Sequence, residues 1–337
     1  MKVDSALVEG LGDVPDKARA TEALGYDGLF TFEGPHDPFF PLVLAAEYTE
    51  RIELSTAIAV AFARNPMLLA NIGFDLQSTS QGRFVLGLGS QIRPHIQKRF
   101  SMPWSKPAAR MREMVLAVRA IWDCWQEGAD LDFEGEFYTH TLMTPFFNPG
   151  PNPFGLPRIA VAGVGPAMTR VAGEVADTFL VHPFTTERFL RDHTMPALEE
   201  GFARGGRSRD DFEISWPLFV VSGDTEEQRA ASAVGARRQM AFYGSTPAYR
   251  PVLEAHGWGE LQTELNAMSK QGQWAEMGDL IDDEILETVA VVGTPEDLPA
   301  LICERYGDII DRIALHAPGG VDDERWRAIL EDFQKRG

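Results

Sequence analysis

The sequence predicts an α/β fold, a (β/α)8 TIM barrel with insertions, and three observations carry that expectation. Eight short apolar runs are spaced along the chain, seven of them are followed directly by an amphipathic helical pattern, and a terminal helical stretch closes the series. Strands that alternate with helices pair in parallel and are covered on both faces, which suits the near-continuous apolar character of these runs. With 337 residues, 44% of them hydrophobic, the chain is long enough for one large core, so residues 1–337 are expected to form a single domain.

In chain order the units begin with "KVDSALV" as a strand and "VPDKARATEALGYDG" as its helix. "LFTFE" follows as a strand with Leu42 to Glu50 as a helix, and "IELSTAIAVAF" reads as one apolar, partly β-branched strand. The helix "PMLLANIGFDLQSTS" opens on Pro66, a residue suited to a first helical turn because its missing N–H is unneeded there. "RFVLGLG" and the long helix "PAARMREMVLAVRAIWDCWQEG" make the fourth unit, and "RIAVAG" with "PAMTRVAGEVADT" the fifth. "FLVHPF" leads to a helix over Thr185 to Arg204, "FEISWPLFVVSG" to a helical region from Thr225, and "DRIALHA" is the last strand before "DDERWRAILEDFQKR". Two excursions interrupt the rhythm. Residues 130–157, rich in aromatics, Pro and Gly, read as a short hairpin and loop; residues 240–287 read as an extended surface helix or a cover over the barrel mouth.

Composition narrows the partners. A formal net charge of −19 repels nucleic acid and anionic membrane, so a small-molecule substrate is expected, with no nucleic acid and no membrane. The two cysteines, Cys124 and Cys303, form no CxxC pair, and no HxH or HExxH spacing offers a metal site. No apolar run approaches the ~18 residues that a bilayer requires, and the N-terminus lacks a signal core, so the protein is expected to be soluble and cytoplasmic.

In a barrel of this kind chemistry sits where strands end and helices begin. Those positions hold Glu33 with "GPHDPFF", "AFARNP", "GSQIRPHIQKRF", the turn "AGVGP", "HPF", and His316. Four of the seven histidines, His36, His95, His182 and His316, fall there, which favours a polar pocket. The turn Ala162–Pro166 leads into a helix and exposes backbone N–H groups, such as those of Val164, Gly165 and Ala167, to an anion. Taken alone, this turn reads equally well as a ligand-free connection, since it lacks the G-x-G-x-x-G pattern.

Over almost its whole length the chain resembles the luciferase-like monooxygenase superfamily, and within it the oxidoreductases that use the deazaflavin coenzyme F420. The stretches that carry the resemblance are "ALGYDGLFTFEGPHDPFFPLVLAAEYTERIELSTAIAVAFARNPMLLA", "FDLQSTSQGRFVLGLGS", "PAARMREMVLAVRAIW" and "VAGVGPAMTRVAGEVADT". The resemblance implies a homodimer of flavin-type barrels and a cis peptide at the third strand, here Ala57–Ile58. It also implies a cofactor site built from Ala57, Ile58 and Ala59, from Gly89, Ser90 and Gln91, and from Ala162, Gly163, Val164, Gly165, Pro166, Met168 and Thr169 at the cofactor's phosphate. His36 stands where relatives carry an acidic-His-His motif and is expected as the catalytic acid or base. His95 is the second candidate, in a loop where several relatives have a carboxylate. Glu33, Asp37, Phe62, Trp104 and His182 are expected around the substrate, with Phe39 and Phe40 as further apolar wall or as core. Arg93, Lys98 and Arg99 are expected to meet the cofactor's acidic tail. The expected reaction is hydride transfer between the deazaflavin C5 and a small organic substrate. Two alternatives stand beside it: a monooxygenase using reduced FMN, and a non-catalytic deazaflavin-binding protein.

Overall fold

The computed structural model describes residues 1–317 and 323–336. Its strands, in chain order, are β1 (Lys2–Ala6), β2 (Gly28–Thr31), β3 (Glu53–Thr56), β4 (Ala59–Val60), β5 (Phe84–Gly89), β6 (Phe133–Glu134), β7 (Thr139–His140), β8 (Arg158–Gly163), β9 (Thr178–Val181), β10 (Glu213–Ser222), β11 (Val291–Gly293) and β12 (Arg312–His316). The fold is the (β/α)8 barrel that the alternation predicts. Among the described residues, no helix is long and apolar enough to cross a membrane.

The chain divides into two compact units. The unit of Ser5–Leu180 and Ala197–Glu213 carries the strand order β2-β3-β5-β8-β9, with β4 also paired to β5. All six residues of β5 are buried, as a strand covered on both faces requires. The helix Pro107–Glu127 buries Met111, Met114, Val115, Val118, Ile121, Trp122 and Trp125, a three-to-four-residue spacing that makes one apolar face. The Trp122 indole N–H donates to the Ala70 carbonyl at 3.0 Å and fixes this helix against Pro66–Thr79. As expected, the excursion at 130–157 contains a hairpin, β6 with β7. Its turn is held by the Glu113 carboxylate, which accepts from the N–H groups of Glu136, Phe137 and Tyr138.

The second unit, of residues 1–4, 181–196 and 214 onward, carries the order β11-β10-β12-β1. Here the 240–287 stretch is not one extended surface helix. After the helix Glu226–Gly244 come helices at Arg250–Glu254, Gly259–Lys270 and Asp283–Val289 and a 3-10 turn at Glu276–Leu280, which bury Leu253, Leu265, Ile285 and Met277 against Ala236, Met240 and Ala241. The stretch therefore has its own core. The strand β11, paired in parallel with Val220–Ser222, has no counterpart in the sequence reading, because three residues are too few to show a period. The closing helix spans Asp323–Arg336, and Asp322, the first residue of the expected stretch, lies outside the described residues.

The third strand corrects the sequence reading most. "IELSTAIAVAF" is not one strand: β3 ends at Thr56, the Ala57–Ile58 peptide is cis, and pairing resumes at β4 before a 3-10 turn over Ala61–Ala63.

Candidate active site

The interruption in the third strand is a bulge with its own bonding. Ser55 lies opposite Val85 and Ala59 opposite Leu88, so four steps along one strand face three along the other. Thr56 fills the gap that the extra residue leaves. Its hydroxyl donates to the Gly87 carbonyl at 2.7 Å and accepts from the Gly87 N–H at 2.9 Å. On the other side, the Ala57 N–H donates to the Thr31 carbonyl and the Glu33 N–H to the Ile58 carbonyl. β5 makes room with glycine. A Cβ at Gly87 would stand 1.7 Å from the Thr56 carbonyl oxygen, and one at Gly89 would stand 2.7 Å from the Ile58 side chain. The structure thus brings Ala57, Ile58, Ala59 and Gly89 together, with Ser90 and Gln91 directly following.

Beside the bulge runs the loop from Glu33 to Pro38. The Glu33 carboxylate, nearly buried, accepts from the Val60 N–H at 2.7 Å and from Arg64 at 2.6 Å. Arg64 also reaches Asp37 at 3.0 Å, and Asp37 accepts from the Phe39 N–H at the start of the helix Phe39–Tyr48. His36 lies exposed between these anchors, and its ring has no hydrogen-bond partner among the described residues. Glu33 and Asp37, expected around a substrate, thus have their carboxylates engaged by Arg64.

The loop after β5 places His95 at the head of a π-helical turn, His95–Arg99, with its side chain exposed. Arg99 donates to the Gly34 carbonyl at 2.6 Å, so this loop is tied to the one bearing His36. Arg93 holds Gln97, while Lys98 forms no ion pair among the described residues. Phe62 and Trp104, expected around the substrate, lie against one another. Phe62 is wholly buried, with the Arg110 guanidinium 4.6 Å above its ring and the edge of Trp104 at 5.9 Å. Phe39 is likewise buried and lies under Arg64, whereas Phe40 faces solvent.

At the end of β8 the chain turns through Ala162–Gly165 into the helix Pro166–Val175. The N–H groups of Val164, Gly165 and Ala167 make no hydrogen bond among the described residues, and Gly165 has open space around it. Three unpaired donors at the positive end of a helix are an arrangement that can receive an anion. Met168 and Thr169 add no free donor to this set. Both N–H groups are taken by the Gly165 carbonyl, Thr169 is buried with its hydroxyl on that same oxygen, and Met168 packs against Gly163.

In the other unit, His182 follows β9. Its Nδ1 accepts from the Phe184 N–H at 3.1 Å, which leaves the proton on Nε2. The ring stacks on Tyr249 at 4.2 Å and meets the edge of Tyr243 at 4.8 Å. Desolvation, with a smaller contribution from His316, holds the His182 ring down to about 4, while burial pushes the Tyr249 hydroxyl up to about 12. His316, packed on Phe219, is also lowered by burial and has a buried Nε2 without a partner among the described residues. These groups form an uncharged aromatic cluster.

The profile of the luciferase-like monooxygenase family matches residues 3–312. The chain belongs to that family. An uncharacterized protein of Mycobacterium tuberculosis is 52% identical over 99% of this chain and 98% of its own length. A second M. tuberculosis protein, named as a putative coenzyme F420-dependent oxidoreductase, is 28% identical over 81% of this chain and 82% of its own length. Among solved structures, the coenzyme F420 dependent tetrahydromethanopterin reductase from Methanopyrus kandleri superposes with a TM-score of 0.79 at 19% identity. That match covers 98% of this chain and 96% of the reductase.

Within this luciferase-like barrel, reasoning from sequence missed Arg64, Tyr243 and Tyr249, and it singled out Arg99 for the cofactor's tail and not for its bond to the Gly34 carbonyl. Arg64 had a usable signal: a lone basic residue at one strand end beside two acids at the neighbouring strand end, in an acidic chain. The tyrosines had none, because they lie in the excursion whose packing the sequence does not reveal. Among the described residues no group of three or more His, Cys, Asp or Glu side chains is arranged to hold a metal.

Proposed function

We propose that this member of the luciferase-like monooxygenase family is an oxidoreductase that uses coenzyme F420 to move a hydride to or from a small organic substrate, with His36 exchanging the accompanying proton. The observation that carries the reading is the trio of unpaired N–H groups at Val164, Gly165 and Ala167, which suits the phosphate of such a cofactor. The bulge at Ala57–Ala59 and the glycines of β5 supply closely packed backbone for a flat ring to rest on, and the F420-dependent name of a relative at 28% identity points to the same cofactor.

When bound, the deazaflavin supplies a two-electron hydride carrier at its C5 carbon. The chain's own residues do the rest. Backbone N–H groups of Val164, Gly165 and Ala167 would hold the phosphate, and the strand-three bulge and Gly89–Ser90 would bear on the ring. Oxidising an alcohol removes a hydride from carbon and a proton from oxygen, and reducing a carbonyl adds both. An exposed imidazole on a held loop can take or give that proton.

Titration of the cofactor-free protein with F420 and, separately, with FMN tests the reading by fluorescence. F420 is expected to bind tightly and FMN weakly. In a screen of small ketones, aldehydes and enones against reduced F420, His36→Gln is expected to lower turnover about a hundredfold or more while F420 affinity stays near wild type. A preference for FMN would move the protein to the oxygen-activating branch of the family, and binding of neither would remove the cradle.

A further inference from the structure

We infer that Arg64 is a positioning residue: by clamping Glu33 and Asp37 it fixes the loop that carries His36 to the bulge at Ala57–Val60. The functional consequence rests on the proposed F420 reading; the geometry does not. One guanidinium makes three kinds of contact at once. Its Nη1 donates to Glu33 Oε2 at 2.6 Å and to the Val60 carbonyl at 3.2 Å, its Nη2 donates to Asp37 Oδ2 at 3.0 Å, and its plane lies 5.3 Å from the centre of the Phe39 ring. The same Glu33 oxygen accepts from the Val60 N–H, and the Glu33 N–H reaches the Ile58 carbonyl. One carboxylate and one guanidinium therefore stitch the residues before His36 to Val60, just beyond the cis peptide.

The outer arm acts on the residues after it. Asp37, held by Arg64, caps the Phe39 N–H, and the Pro38 carbonyl accepts from the buried Thr31 hydroxyl at 2.7 Å. With Arg99 on the Gly34 carbonyl, the loop is anchored at residues 33, 34, 37 and 38, and His36 is left as the free side chain between fixed neighbours. A loop is ordinarily the mobile part of a barrel, so four anchors in six residues mark a segment whose position matters. The arrangement needs arginine. A planar fork reaches two carboxylates and a carbonyl together, whereas a lysine ammonium would hold one of them well. The Arg64–Glu33 pair is also largely out of water, with side chains 14% and 7% exposed, so removing one partner leaves the other charge uncompensated.

Hydrogen–deuterium exchange on the cofactor-free protein tests the brace without any turnover. In Arg64→Gln, peptides covering 31–38 and 57–62 are expected to exchange about tenfold faster or more, while the helix Glu226–Gly244 exchanges as in wild type. F420 affinity is expected to fall about tenfold. Arg64→Lys should recover part of both effects, and Asp37→Asn should loosen 31–38 but not 57–62. If Arg64→Gln does not fold, the lysine and asparagine variants carry the test. Unchanged local exchange, or a uniform increase across the chain, would overturn the proposal. Should wild type fail to bind F420, the functional reading falls while the exchange data still decide the brace.

Discussion

A methyl group added at Gly87 would stand 1.7 Å from the carbonyl oxygen of Thr56, and at Gly165 the same methyl would meet nothing within 4 Å. The first obstacle is backbone, and Thr56 cannot withdraw without losing both hydroxyl bonds to Gly87. Gly87→Ala is therefore expected to destabilise the protein by about 1–3 kcal/mol or more, and Gly165→Ala by less than about 0.5 kcal/mol. Thermal unfolding of the two variants checks this, and equal melting temperatures would refute the account of the bulge. The contrast also shows what a residue-level reading can recover. The glycines of "RFVLGLG" and "VAGVGP" were visible as special positions, but one class serves close packing and the other leaves donors bare. The acids Glu33 and Asp37 were legible too. Their common partner was not, because Arg64 lies 31 and 27 residues away and meets them only through the pairing of neighbouring strands.

At the level of elements, the strand RIAVAG is legible to the residue because its apolar run is bounded by a proline on one side and a glycine turn on the other. The third strand was not legible from its period, which says nothing about where an extra residue is inserted; the family resemblance alone placed the break, at Ala57–Ile58. Residues 240–287 were opaque for a different reason: a polar, acidic composition conceals short helices whose few apolar residues converge only in space. Leu265 shows that convergence. It is fully buried on the helix Gly259–Lys270, with its methyl 2.9 Å from where a Cβ at Gly244 would stand, and it packs within the cluster of Met240, Leu253 and Ile285. Leu265→Ala is expected to cost about 2–4 kcal/mol, read as a lower urea midpoint. The Thr225 cap at the start of Glu226–Gly244, which accepts from the Gln228 N–H in a reciprocal capping box, gives a smaller loss of about 1 kcal/mol in Thr225→Ala. A loss at Leu265 no larger than at Thr225 would mean that the excursion has no cooperative core.

For the whole molecule the sharpest dependence is on acid. The chain carries a net charge of −19, so acidification first relieves self-repulsion as carboxylates take up protons. Desolvated histidines work in the opposite direction. His182 titrates at about 4 in the folded protein because burial disfavours its charged form, against about 6.5 when unfolded. Above pH 6.5 the ring is neutral in both states and contributes no pH slope. Between pH 6.5 and pH 4 the unfolded chain binds the proton and the folded chain does not, so stability falls as pH falls, by about 3 kcal/mol across the window. His316 is lowered by burial as well and adds to the same slope. Replacing His182 with Gln keeps an acceptor for the Phe184 N–H while removing the titration. Urea denaturation at several pH values should then show a loss of stability between pH 7 and pH 4.5 that is about 2–3 kcal/mol smaller in His182→Gln than in wild type. Parallel curves for the two proteins would mean that water reaches the His182 ring, and the uncharged cluster it forms with Tyr243, Tyr249 and His316 would lose its physical basis.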